Sequence, residues 1–238
     1  MGITLSDARI LRGMERQLDV RQLRIIADEK PLGWKVGFGS KKAMAQLGIE
    51  APLVGFITDR VMLPTETTVS VAGWMNAAAE PEIALFLGQD IVAGATRSEI
   101  RDAIAAVAPA IELVDVNMIT DSDTVEAILA GNVFNRHVLL GKPDDSRAGC
   151  VLDGLVGHVF RDENEIAVVN DLEVLTGDLL DIVRHVANVL GAFGKRLRAG
   201  EFLIMGSIVP PLWISQTETI HYRLDPIDAI EVQLQAEG

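Results

Sequence analysis

Three glutamates carry the chemistry this sequence offers. Glu80 and Glu82 stand one residue apart in Ala78-Ala79-Glu80-Pro81-Glu82-Ile83-Ala84-Leu85-Phe86-Leu87, a short apolar run that ends at Gly88-Gln89-Asp90. Such a run reads as a buried strand. Alternation along a strand sends Glu80 and Glu82 to one face and Ile83, Leu85 and Leu87 to the other. Two like charges on one buried face repel and lose hydration, so they need a counter-charge. A second run, Pro109-Ala110-Ile111-Glu112-Leu113-Val114, carries a third acid among hydrophobes. If the two strands are neighbours, three carboxylates converge. Three oxygen donors without His or Cys suit a hard cation, Mg2+, Mn2+ or Ca2+, better than zinc. The bland alternative is that each acid pairs with Arg or Lys, or lies at an exposed strand end.

The elements that must hold these acids follow from periodicity. Residues 6–29 read as a helix, with Leu11, Met14 and Leu18 on one face and Leu23, Ile26 and Ala27 continuing it. Lys30-Pro31-Leu32-Gly33 stops it, because proline cannot continue a helix. Residues 34–38 read as a strand with Lys35 near its middle, and Ser40 caps a short helix that Gly48 ends. Residues 54–57 and 67–72 are further strands. Thr96 and Glu99 form a capping box for a helix whose inner face is Ile100, Ile104 and Val107. Residues 121–130 read as a helix closing at Gly131, residues 136–140 as a strand, and residues 179–190 as a helix with Leu180, Val183, Ala187 and Leu190 on one stripe. Residues 155–161 and 166–170 form one hairpin, residues 201–205 a strand, and residues 218–224 and 229–235 a final hairpin. Strands and helices do not alternate regularly. The expected fold is α+β, with a mixed, largely antiparallel core rather than a doubly wound sheet. A helical segment over residues 1–30 would precede one large domain over residues 31–238.

The 238 residues carry a formal net charge of −13, which argues against nucleic acid or an anionic membrane as partner. Small anionic substrates stay compatible, because a bound cation reverses the local sign. A lone cysteine, Cys150, excludes an internal disulfide and suits a reducing, cytoplasmic setting. His137, His158, His185 and His221 are scattered, with no zinc-type spacing. Residues 1–12 contain no apolar signal core, and no apolar run is long enough for a membrane span. Gly37-Phe38-Gly39-Ser40-Lys41-Lys42 lacks the spacing of a phosphate loop and reads as a tight turn into a helix. There is no G-x-S-x-G elbow. His185 reads as packing or surface, and Cys150 has no nucleophile context.

Gly33-Trp34-Lys35-Val36-Gly37-Phe38-Gly39-Ser40, then Met44, Gln46, Leu47 and Gly48, then Gly55-Phe56-Ile57-Thr58-Asp59, resemble the fumarylacetoacetate hydrolase superfamily. The narrower likeness is to its branch of 2-keto-4-pentenoate hydratases and 4-oxalocrotonate decarboxylases. Glu80-Pro81-Glu82-Ile83-Ala84 matches that branch's E-x-E-I-A motif, and residues 109–115 match its P-A-(L/I)-E strand. Leu197-Arg198-Ala199-Gly200-Glu201 with Met205-Gly206-Ser207 matches the later L-x-A-G-D strand and glycine turn. The likeness runs from about Leu5 to the end. Phe38-Gly39-Ser40 stands where relatives have Leu-Thr-Ser, and residues 131–135 replace a stretch that usually reads Asp-Asn-Ala-Ser. The N-terminus is shorter than in typical relatives, so one helix of the usual lid or interface is expected to be missing.

The resemblance implies that Glu80, Glu82 and Glu112 ligate Mg2+ or Mn2+, that Lys35 is functional, and that the fold is a β-roll assembling as homo-oligomers. The residues alone also reach the carboxylate trio; for Lys35 they leave a counter-ion and a catalytic group equally open. Asn132 and Ser207 are candidate polar contacts for the substrate. The implied activity is a lyase of aromatic catabolism on 2-oxo or 2-hydroxydienoate acids, foremost a 2-keto-4-pentenoate hydratase-like enzyme. Stabilised negative charge on a C2 oxygen also serves CO2 loss or C–C cleavage. A 4-oxalocrotonate decarboxylase and an acylpyruvate-type hydrolase are therefore alternatives. The decarboxylase needs a second cationic grip for a distal carboxylate, for which Arg136 and Arg60 are candidates. A non-catalytic partner of a homologous pathway enzyme is the remaining alternative, motivated by the altered 131–135 stretch.

Overall fold

The computed structural model describes residues 7–117 and 124–236. In chain order its elements are α1 (Ala8–Ile26), β1 (Pro31–Gly37), α2 (Lys41–Leu47), β2 (Leu53–Thr58), β3 (Met62–Leu63), β4 (Thr67–Ser70) and β5 (Ala77–Leu87). There follow α3 (Arg97–Ala103), β6 (Ile104–Asp115), α4 (Thr124–Ala130), β7 (Asn135–Leu140), β8 (Val156–Arg161) and β9 (Asn164–Val169). The chain continues through α5 (Leu179–Ala192), β10 (Phe202–Ser207), β11 (Leu212–Trp213), β12 (Glu218–Asp225) and β13 (Asp228–Gln235). Among the described residues, parallel pairing is confined to β1–β10, β3–β7 and β4–β13; the other pairs are antiparallel. The expected α+β class and largely antiparallel core hold.

An 8-stranded sheet runs β2-β1-β10-β5-β6-β7-β3, with β11 beside β5. Its end strands β2 and β3 are joined by the single 3-10 turn Asp59–Val61, so the sheet curls until its two ends meet. Register places Lys35, Ile204, Ala84 and Ala108 in one row of the inner face. Glu82 and Ala110 form the next row, and Glu80, Glu112 and Val138 the one after. Ile57, Ala84, Ala108, Ala110, Val138 and Ile204 fill the curl and are fully buried. Alanine recurs because a tightly curled sheet leaves little room inside. The outer face, with Ile83, Leu85, Ile111 and Leu113, joins the main core. There it meets Ile220, Tyr222, Ile230 and Val232 of the 5-stranded sheet β4-β13-β12-β8-β9. Strand β5 thus alternates as its sequence requires.

The structure corrects the third helix. It ends at Ala103, and Ile104 and Val107 belong to β6. Alanines at 105, 106, 108 and 110 favour a helix locally, but the curl needs small side chains on this strand. Tertiary packing overrides propensity. The residue 121–130 helix is seen as α4; residues 121–123 lie outside the described residues. Helix α1 packs on α4 through buried Met14 and Leu18. Buried Gln17 ties it further, its Nε2 donating to the Val54 carbonyl at 2.9 Å and the Leu129 carbonyl at 2.8 Å. No described helix is long and apolar enough to cross a membrane.

Candidate metal centre

Antiparallel β5 and β6 set Glu80 opposite Glu112 and Glu82 opposite Ala110, so the three acids face the same end of the curl. One carboxylate oxygen from each lies within 4.8 Å of the others. Glu82 and Glu112 are fully buried; Glu80 is partly exposed. Glu112 Oε1 accepts from Lys35 Nζ at 2.5 Å and Asn135 Nδ2 at 2.7 Å. Glu82 Oε2 accepts from the Gly206 N–H at 2.7 Å. The other oxygens, Glu82 Oε1 and Glu112 Oε2, are buried with no hydrogen-bond partner among the described residues. Leaving one such acceptor unsatisfied costs about 1–3 kcal/mol. A hard cation between the three acids would satisfy both, so the donor set fits Mg2+ or Mn2+.

The electrostatics agree. Burial pushes the Glu80 carboxyl up to about 7, with the neighbouring Glu112 charge adding and Lys35 opposing. Burial raises Glu82 well above the usual carboxylate range, and the other two acids raise it further. Burial also raises Glu112, against the attraction and hydrogen bond of Lys35. Protons that the site holds in this way are what a divalent ion displaces. Among the described residues, no arginine pairs with Glu80 or Glu82, so the bland alternative of one cation per acid does not hold.

Lys35 is the only lysine bonded into the cluster among the described residues, and it is 1% exposed. Its Nζ also donates to the Val133 carbonyl at 3.0 Å. Its register partner is Gly55, where a Cβ would come within 2.8 Å of the Lys35 Cγ; glycine leaves the lysine stem its path. Val133 sits in a left-handed run: Asn132, Val133 and Phe134 have φ of 55°, 52° and 62°. A β-branched residue there is strained, and such strain collects at functional sites.

Asn132 uses its carboxamide on Phe56, donating to the carbonyl at 2.9 Å and accepting from the N–H at 2.8 Å. The Ser207 hydroxyl donates to the Pro81 carbonyl at 3.3 Å, beside Glu82. Asn135 escaped sequence reasoning. Regular alternation from Val138 would turn Arg136 toward Glu112. A bulge in the β6–β7 register gives that place to Asn135 instead. Its Oδ1 is buried without a hydrogen-bond partner among the described residues. The only sequence signal was an asparagine closing the turn before β7.

Arg136 pairs with Asp115 at 2.8 Å, and Arg60 is exposed on the turn between β2 and β3. His185 Nε2 bonds the Pro52 carbonyl at 2.9 Å, and burial pushes the Cys150 thiol up to about 12, which makes it a poor nucleophile. Beside the acid cluster lies a cavity of about 500 Å³, with Asn132, Phe134 and Asn135 in its wall and Arg24, Met75 and Arg136 around it.

No protein-family model matches the chain. A 2-hydroxyhexa-2,4-dienoate hydratase of Comamonas testosteroni is 30% identical over 197 residues, 81% of this chain and 74% of that protein. The chain belongs to the fumarylacetoacetate hydrolase superfamily. It lies in the superfamily's hydratase–decarboxylase branch. A 4-oxalocrotonate decarboxylase of Pseudomonas putida is 23% identical, over 91% of this chain and 82% of its own length. Among solved structures, a Pseudomonas putida G7 4-oxalocrotonate decarboxylase complexed with magnesium and adipate superposes with a TM-score of 0.84 at 21% identity, over 94% of this chain and 86% of that one. A Pseudomonas aeruginosa fumarylpyruvate hydrolase with Mn2+ and pyruvate gives 0.69 at 11% identity, over 87% and 91%. These likenesses establish the superfamily fold, the β-roll expected above.

Proposed function

We propose that this chain is a divalent-metal-dependent lyase of aromatic catabolism acting on 2-oxo or 2-hydroxydienoate acids, in the manner of a 2-keto-4-pentenoate hydratase. One observation carries the reading: Glu82 and Glu112 each have one oxygen hydrogen-bonded and one buried oxygen unpartnered, and both meet Glu80. These three would hold Mg2+ or Mn2+. When bound, the ion supplies Lewis acidity toward the carboxylate and 2-oxo oxygens of the substrate. Lys35 gives two ammonium hydrogens to Glu112 and Val133. The third is left for a substrate oxygen, beside which it offsets developing negative charge or moves a proton. Ala110, Val138 and Ile204 form an apolar floor that excludes water from below. Asn132 keeps one amide hydrogen for a substrate in the cavity it lines. Ser207 contributes at the Glu82 end.

The test is turnover of 2-hydroxypenta-2,4-dienoate by the isolated chain, with Mg2+ and after EDTA treatment. EDTA abolishes turnover and added Mg2+ restores it; equal rates would remove metal catalysis. A hydroxy-oxo acid product marks a hydratase, CO2 a decarboxylase, and two smaller acids a hydrolase. Turnover by the isolated chain also disposes of the non-catalytic assembly role. Exposed Leu23 and Ile26 on α1, with Ile166 and Val168 on edge strand β9, support a homo-oligomer, which light scattering would test. A single cysteine fits a cytoplasmic setting.

A further inference from the structure

We propose that Arg24, on α1, forms an anion-selective subsite that favours 2-oxo acids carrying a second carboxylate at the far end. This rests on the lyase reading for the head of the same substrate. The cavity beside the acid cluster is bounded at one side by Asn135, which bonds Glu112, and at another by Arg24. The three glutamates and Lys35 are not in its wall; Asn135, which lines the cavity and bonds Glu112 at 2.7 Å, joins the two.

The charges in that wall are unequal. Asp115 and Arg136 both line the cavity, but they bond one another at 2.8 Å. The other Asp115 oxygen accepts from the Met75 and Asn76 N–H groups at 2.8 and 3.1 Å. Arg136 also lies over the Trp74 ring, 5.6 Å from its centroid. That ion pair contributes no net charge. Arg24 has no carboxylate partner among the described residues; its contact is the Phe56 ring, 5.3 Å from the guanidinium carbon. Phe56 is itself fixed, since Asn132 holds both of its main-chain polar groups. The guanidinium thus rests on a rigid wall with its donor edge uncommitted. Arginine offers a planar fork matched to a carboxylate. A ligand ending in a methyl group leaves that fork unpaired, and discrimination by an unsatisfied partner is strong. Neither arginine singled out from the sequence fills this role: Arg136 is tied to Asp115, and Arg60 is not in the cavity wall.

Binding separates this proposal from turnover. Titration calorimetry of the Mg2+-loaded chain would use 2-oxoadipate and 2-oxohexanoate, which share a carbon count and differ in the distal carboxylate. The wild type binds 2-oxoadipate at least about tenfold more tightly. Arg24→Gln removes that preference while keeping the 2-oxohexanoate affinity, Arg24→Lys keeps part of it, and Arg60→Gln keeps all of it. An unchanged thermal midpoint certifies each variant's fold. Equal affinities in the wild type, or a full preference in Arg24→Gln, would overturn the subsite alone. Failure of both ligands to bind the Mg2+-loaded wild type would bring down the lyase reading and the subsite together.

Discussion

Among the described residues one ammonium group serves three carboxylates, and that imbalance sets what each residue must do. Lys35 bonds Glu112, and among the described residues Glu80 and Glu82 have no cation of their own. Breaking a buried pair leaves an uncompensated charge, so Lys35→Met destabilises the metal-free chain by about 3–5 kcal/mol. Saturating Mg2+ restores much of that stability. Turnover under saturating Mg2+ nevertheless stays about 10²–10⁴-fold down, the usual share of a positioned proton donor. Steady-state kinetics decide the matter: full recovery would reduce Lys35 to a counter-ion. Asn135 acts one step out, through Glu112. Asn135→Ala lowers metal affinity by about 10–100-fold, as loss of a group that orients a ligand does. Mn2+ titration reads that loss directly, and undiminished affinity would remove Asn135 from the site. The glutamates were legible because isolated acids in apolar strands are costly. Lys35 was not: a lysine in a strand has many uses, and only the resemblance gave it a role.

At the scale of elements, the site depends on β5 and β6 running antiparallel with Glu80 opposite Glu112. Either strand could be read alone, but their adjacency could not, because alternation says which face a residue takes and not which strand lies beside it. Strand β6 also hid its first half. Ile104 to Ala108 looked helical because alanine favours helices, whereas the curled sheet demands small inner residues. The β6–β7 bulge that aims Asn135 at Glu112 left no trace in periodicity. Ala110 sits beside Glu82 on the inner face and is fully buried. Ala110→Leu overpacks this interior and costs about 1–3 kcal/mol, visible as a lower urea midpoint. It also weakens Mn2+ binding, because the intruding side chain displaces Glu82. An unchanged midpoint would mean that the curl has room to spare and that its alanines need another explanation.

For the whole molecule, stability, pH and metal are linked. Folding raises the Glu80 carboxyl to about 7 and lifts Glu82 well above the usual carboxylate range, mainly through burial. The folded chain then keeps protons that the unfolded chain releases above the ordinary carboxylate pKa. The stability from these groups is fully present below that pKa and is lost as pH rises through the folded values. The EDTA-treated protein therefore melts at a lower temperature at about pH 8 than at about pH 5. Mg2+ opposes that slope, since the cation binds the deprotonated site. Scanning calorimetry at the two pH values, with and without Mg2+, checks both signs. The most direct test of the central claim is titration of Mn2+ into EDTA-treated wild type and Glu82→Gln, followed by electron paramagnetic resonance. The wild type takes up one Mn2+ per chain, and Glu82→Gln loses affinity by more than about a hundredfold. Equal uptake by the two proteins, or none by the wild type, would contradict a metal held by these three acids.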